Sequence, residues 1–146
     1  MRATRFLIVA MLATSFLVSP LAFAKDDPRI PIKLTGDERN LVLEEMRTFL
    51  DTVRSITVSM SDEDMEKIAK SARKVGMAAS GGVPPELTAK LPLQFKMLAM
   101  QVHKGFDQIA LDATEMGDQQ QTLEQLGVLM GNCVACHAIY KLPAPE

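Results

Sequence analysis

The sequence predicts an all-α chain folded as an antiparallel up-down-up-down four-helix bundle. Apolar residues recur at steps of three and four in four separate stretches, which is the spacing of one helix face. Short segments rich in Gly, Pro, Ser or Asp separate these stretches, and short connections favour antiparallel neighbours. After the Pro-containing segment 25–33, no stretch alternates between apolar and polar residues as a half-buried strand does.

The first two helices are predicted from their capping residues and their apolar stripes. Thr35 is placed to cap the first helix, with Asp37 and Glu38 in its opening turn. The segment 61–64 resembles a capping box and is predicted to open a second helix, which ends before the loop 80–85. The predicted inward positions are Leu43, Met46, Leu50, Val53, Thr57 and Met60 on the first helix, then Met65, Ile68, Ala72, Val75 and Ala79 on the second.

A third and a fourth helix follow the loop. A short helical piece over 86–91 leads to Pro92, which suits the first position of the third helix. Gly117 and Asp118 make the next break, and the fourth helix is predicted to end near the prolines of 143–145. The predicted inward positions are Phe95, Leu98, Val102, Phe106, Ile109, Ala113 and Met116, then Leu123, Leu126, Met130, Cys133, His137 and Tyr140.

The length and the N-terminal pattern predict one exported domain. A chain of 146 residues, 47% of them hydrophobic, suffices for a single core. A basic start, the apolar run 6–18 and the small-x-small residues 22–24 are typical of a cleavable export signal. The run is too short for a permanent anchor, so we expect no stable membrane insertion after cleavage. The predicted divisions are a signal peptide at 1–24, a leader at 25–36 and the bundle at 37–146, located in the periplasm.

Charge and motif content exclude two broad classes of function. Arg2 and Arg5 lie in the signal peptide, so the mature chain keeps 14 of the 16 basic residues against 18 acidic ones. The two signs are interspersed, which argues against a nucleic-acid partner. The sequence contains no Ser/His/Asp set, no phosphate-binding glycine loop and no second cysteine pair, so we do not expect an enzyme.

The segment 133–137 reads Cys-Val-Ala-Cys-His and contains both cysteines of the chain. C-x-x-C-H is the spacing of covalent haem attachment, in which two thiols bond the porphyrin vinyl groups and the imidazole binds the iron. A zinc site would need His103 or carboxylates to complete four ligands, in no recognisable spacing. A redox dithiol belongs to a βαβ context, and a disulfide this short constrains little chain. These three alternatives remain weaker than one covalently attached haem c.

A helical chain with this motif near the end of its last helix resembles the cytochrome c-prime superfamily, and the likeness covers about residues 38–142. The resemblance implies a haem between the helices, with thioether bonds from Cys133 and Cys136 and His137 as the proximal iron ligand. It also implies that Arg39 corresponds to the first-helix arginine that contacts a haem propionate in this family. Dimers occur in the family, so a homodimer is implied as an alternative to a single bundle.

The resemblance leaves two alternatives for the sixth iron ligand. Counting the family's Arg-x-x-x-ligand spacing from Arg39 reaches Leu43, which cannot bind iron, whereas Met46 on the same stripe can. We predict Met46, and therefore a six-coordinate carrier of single electrons whose redox partner the sequence does not identify. An open site over Leu43 would instead make a five-coordinate protein that binds NO or CO. A haem-free helical interaction module is the third interpretation, and His103 is predicted to be partly exposed.

Overall fold

The computed structural model describes residues 26–145, and most of these residues are helical, which confirms the all-α prediction. The predicted signal peptide at 1–24 lies outside the described residues. Within 26–145, no helix combines the length and apolarity needed to cross a membrane. The elements in chain order are β1 (Ile30–Pro31), α1 (Gly36–Ser61), α2 (Met65–Arg73), α3 (Met77–Ser80), α4 (Pro85–Lys90), α5 (Leu93–Glu115), α6 (Gln119–Ile139) and β2 (Tyr140–Lys141).

Helix α1 begins where its sequence predicts. The Thr35 hydroxyl accepts a hydrogen bond from the Glu38 N–H at 3.4 Å, and the Glu38 carboxylate accepts one from the Thr35 N–H at 2.9 Å. This reciprocal pair is a capping box, and it satisfies two backbone donors that a helix start otherwise leaves unpaired. The predicted cap of the first helix is therefore confirmed.

The inward face of α1 is rotated from the predicted stripe. Val42, Phe49 and Ile56, spaced seven residues apart, are buried, whereas the side chain of the predicted Leu50 is 70% exposed. Apolar residues lie on the faces of α1 to either side of Phe49, so the periodicity alone does not decide which face of the helix is buried. The other predicted positions are half-buried except for an exposed threonine: Leu43, Met46, Val53, Met60 and Thr57.

The predicted start of α2 is three residues too early. Ser61 is the last residue of α1, and Asp64 caps α2 by accepting a hydrogen bond from the Lys67 N–H at 2.9 Å. Glu63 takes a positive φ of 56° in the turn between the two helices. The segment 61–64 therefore forms the end of one helix and the turn to the next, and its last residue is the cap.

Helix α2 also ends at Arg73, earlier than the sequence predicts, and the short α3 follows it. The carboxylate of Asp107, on α5, accepts a hydrogen bond from the Met77 N–H at 2.9 Å. A Cβ atom at Gly76 would lie 2.6 Å from Asp107 Cγ, so the close approach of this side chain requires glycine there. The break in the helix therefore depends on a residue 30 positions along the chain.

Helix α5 supplies more buried residues to the main apolar core than any other helix, and this core also includes Phe49 and Ile56 of α1. Its predicted residues Val102, Phe106 and Ile109 are buried, and the predicted Met116 is exposed at its end. On α6, three of the predicted inward positions are exposed. The buried residues of α6 are Thr122, Leu126 and Leu129, and the exposed predicted ones are Leu123, Met130 and His137.

The helices pack in sequence order around the core. Helix α1 packs on α2, α2 packs on α5, and α5 packs on α6. Within residues 26–145, the first and last helices, α1 and α6, make only sparse contact with each other. The backbones of α1 and α6 are therefore more widely spaced than those of the other neighbouring pairs, although the Gln119 side-chain amide of α6 donates to the Met60 carbonyl of α1 at 2.8 Å.

The leader packs on the helices through a short strand, and its partner β2 lies in the part of the chain where the sequence predicts no strand. β1 pairs in parallel with β2, with Ile30 opposite Tyr140. The N–H of Ile32 donates to the Lys141 carbonyl at 2.9 Å, and the Ile32 side chain is buried. Around it lies a second apolar cluster that contains Val42, Leu87, Phe95 and Tyr140.

Candidate functional site

The Cys-Val-Ala-Cys-His segment forms the last turns of α6. Both cysteines are free thiols and half-buried, whereas the His137 side chain is exposed, so the predicted inward position of His137 is wrong. Partial burial raises the pKa of the Cys133 thiol, and burial together with the nearby Cys133 raises the pKa of Cys136. Both shifts favour the protonated thiol over the thiolate.

The two cysteines lie where the two apolar clusters meet. Cys133 packs against the main core, and its thiol faces the Leu129 carbonyl one turn earlier at 3.8 Å. Cys136 packs against the second cluster, beside the buried Tyr140 and Phe95. Because residues three apart lie on nearly the same side of a helix, both thiols face the interior of the domain.

A cavity of about 320 Å³ adjoins the motif. Cys136 and His137 of α6 form one wall, and Leu43 and Met46 of α1 form the wall across from them. The structure therefore brings four of the six predicted site residues to one cavity. Its volume lies at the lower end of the range of about 300–1,000 Å³ that is typical of ligand pockets.

Apolar side chains flank this cavity on both helices. Leu50 lies one turn beyond Met46 on the same side of α1, and its side chain is 70% exposed. On α6, Met130 precedes Cys133 by three residues and is exposed, and Val134 is 67% exposed. Exposed apolar side chains therefore border the cavity on both α1 and α6.

Gly127 and Gly131 lie on the exposed side of α6. A Cβ atom added at either position would meet nothing within 4 Å in the described chain. No neighbouring helix of this domain therefore requires glycine at these positions, although glycine weakens a helix interior by about 1 kcal/mol relative to alanine.

Arg39 does not line the cavity, but its Nε donates at 3.3 Å to the carbonyl of Leu142, which does. It therefore ties α1 to the segment that follows β2. Arg29, which sequence reasoning missed, does line the cavity, and its Nη1 donates to the His137 carbonyl at 3.2 Å. The sequence gives no local signal for this contact, because only the pairing of β1 with β2 brings Arg29 close to the motif.

His103 is buried, with 4% of its surface exposed, so the prediction of a partly exposed side chain is wrong. Its Nδ1–H donates to the Val75 carbonyl at 2.8 Å, and its Nε2 lies 3.5 Å from a carboxylate oxygen of Glu45. This carboxylate raises the pKa of His103 despite the opposing effect of burial. His103 lines a separate cavity of about 480 Å³ against α3 and α4 and does not line the cavity beside the motif.

Comparison of the chain with models of protein families, with curated proteins and with solved structures yields no match. Within residues 26–145, no three His, Cys, Asp or Glu side chains converge in an arrangement suited to a metal ion. The function is therefore argued from the motif and the cavity beside it.

Proposed function

We propose that this protein is an exported c-type cytochrome that carries single electrons through one covalently attached haem c. One observation carries the proposal: in a C-x-x-C-H segment with two free thiols, Cys136 and His137 line a largely apolar cavity between α1 and α6, and Cys133 lies about one turn before them on the same helix. The proposed topology is the antiparallel four-helix bundle of the cytochrome c-prime superfamily, with α1, α2, α5 and α6 as its helices. The sequential packing of these helices and the short α1–α2 and α5–α6 connections support it.

The residues beside the cavity fit a c-type haem. Cys133 and Cys136 are reduced and half-buried, so each can form a thioether bond without breaking an existing disulfide. His137 is exposed at the cavity wall, where its imidazole is accessible as an iron ligand. The exposed apolar side chains on both flanks provide surface that a flat apolar ring system would cover.

Met46 is the proposed sixth ligand. Its thioether lies in the wall across from His137, and a Met/His pair keeps iron low-spin with little rearrangement per electron. When bound, haem supplies the reversible one-electron chemistry of its iron. The chain's own contribution is to hold the two ligands on separate helices and to surround them with apolar groups such as Leu43 and Phe95, which limit the access of water.

The remaining parts of the proposal come from the sequence. The signal peptide at 1–24 implies cleavage and a periplasmic location, where c-type haem is attached. The mixed charges give no reason to expect nucleic acid, so we propose an unidentified redox protein as the partner, with a homodimer as an alternative to the single bundle.

A five-coordinate gas-binding protein is the second candidate. Leu43 lines the same cavity as Met46, so an apolar, ligand-free distal side over Leu43 is compatible with the same wall. Such a site would admit NO or CO to a vacant position on the ferrous iron.

The Met46→Ala variant separates these two functions, with Met60→Ala as the matched control because Met60 is a half-buried methionine near the other end of α1. We expect a low-spin reduced spectrum for the wild type, and a high-spin spectrum with rapid CO binding for Met46→Ala alone. A wild type that is already high-spin and binds CO supports the gas-binding function. Mass spectrometry after haem maturation that finds both thiols free and no added tetrapyrrole would refute both functions.

A further inference from the structure

A cluster of charged groups in the leader borders the cavity beside His137. Arg29 donates from Nε and Nη2 to the Asp27 carboxylate at 2.8–3.2 Å, while its Nη1 donates to the His137 carbonyl at 3.2 Å. Lys141, from β2, donates to the Asp27 carbonyl at 2.8 Å. Arg29 and Lys141 both line the cavity, so two cations and one carboxylate lie at this side of it.

The planar guanidinium of Arg29 links the leader to the last turn of α6. One edge binds a carboxylate, and the remaining nitrogen reaches a main-chain carbonyl, a geometry that a lysine ammonium does not reproduce. The carbonyl belongs to His137, in the turn where the Tyr140 N–H also donates to the Cys136 carbonyl. Arg29 holds the pKa of Asp27 at about 2, so the carboxylate stays charged at neutral pH.

We infer that Arg29 is a positioning residue of the haem site: it fixes the peptide of the iron ligand His137 and places a positive charge on the cavity wall. The inference rests on the proposed function. A positive charge near the iron favours the ferrous over the ferric state, so it raises the reduction potential. The leader, which is remote in sequence from the motif, thereby contributes both geometry and charge to the site.

The charge is tested by the reduction potential of the haem-loaded protein. We expect Arg29→Gln to lower the potential, Arg29→Lys to restore it, and Asp27→Asn to raise it above wild type. Each shift should shrink as the salt concentration increases, because salt screens exposed charges. Arg54→Gln is the matched control, since Arg54 forms an exposed ion pair with Asp51 on α1 and lines neither cavity; its potential should equal that of the wild type.

The positioning is tested without haem by hydrogen exchange of the Tyr140 amide. Both Arg29→Lys and Arg29→Gln should exchange this amide about tenfold faster, because each loses a hydrogen bond from a charged donor that fixes the turn. An unchanged exchange rate of the Tyr140 amide would overturn the positioning role of Arg29. A reduction potential that is the same in Arg29→Gln as in the wild type would overturn the charge effect. Haem-loaded protein with either result leaves the proposed function intact, whereas a chain that takes up no haem overturns the proposed function and this inference together.

Discussion

Substituting Gly131 with alanine tests whether the exposed side of α6 is free of neighbouring atoms. Gly131 lies in the interior of α6, and a Cβ atom added there would meet no neighbouring atom within 4 Å. Alanine is preferred over glycine in a helix interior by about 0.8–1.0 kcal/mol. We therefore expect Gly131→Ala to raise the free energy of unfolding of the haem-free chain by about 1 kcal/mol, and Gly127→Ala to do the same.

Gly105→Ala on α5 provides the matched control. A Cβ atom there would lie 3.0 Å from Leu129 Cδ1, so the same gain in helix propensity is opposed by a close contact in the core. We expect its stability change to fall below that of Gly131→Ala by about 1 kcal/mol or more. The pair thus separates intrinsic helix propensity from the space around each glycine.

Urea denaturation of the haem-free variants, followed by circular dichroism, measures these differences. A loss of stability in Gly131→Ala would contradict the reasoning, because it would require a neighbour on a face that the structure leaves open. The same measurement on haem-loaded protein then shows whether the cofactor covers this face: a gain that disappears on haem attachment indicates that Gly131 adjoins the porphyrin.

Two further predictions concern the core. Because the pKa of His103 is raised by its contact with a carboxylate, this contact stabilises the fold below about pH 6.5 and is lost as the pH rises through the raised value. Urea titrations at a series of pH values should show the free energy of unfolding falling as the pH rises through the raised pKa of His103. The His103→Gln variant should lack this fall. A variant with the same pH dependence as the wild type would contradict the role of the contact. Ile56→Ala, at a position with 0% exposure, should cost about 2–5 kcal/mol. Leu50→Ala, on the exposed side, should cost less than about 0.5 kcal/mol, and equal costs would contradict the orientation of α1.

The sequence predicts the helices well where their signals are local. The capping box at Thr35 and Glu38 spans one short segment of the chain, so its pattern is complete in the sequence. The buried positions Val102, Phe106 and Ile109 of α5 also follow from periodicity, because they lie at the three-four spacing of a single helix face. In both cases the information needed lies within one helix.

Features that depend on distant partners were not predictable in this way. The break after α2 requires Asp107, which approaches Gly76 only in the folded chain. The leader strand requires β2, which lies at the other end of the described chain, and the same pairing brings Arg29 to His137. The local periodicity of the sequence gives no information about either contact. The motif itself was found from residue types and spacing, whereas its charged surroundings needed the tertiary structure.

The error in the orientation of α1 bears on the proposed function. The predicted stripe of α1 includes Met46 and Leu50 and is largely apolar. The structure nevertheless buries the neighbouring stripe, which includes Phe49 and Ile56, most deeply. A helix with two adjacent apolar stripes has more apolar surface than one core face requires. The second stripe continues along α1 from the cavity that holds Cys136.

The opposite helix shows the same excess. Val134 and Met130 remain exposed on α6, close in sequence to the cysteines, as Leu50 does on α1. Exposed apolar side chains on two neighbouring helices are unfavourable in water unless another group covers them. The exposed apolar side chains of α1 and α6 and the C-x-x-C-H motif therefore lie in the same part of the fold. A flat apolar cofactor bonded to α6 would account for both, which neither an isolated disulfide nor a zinc ion would do.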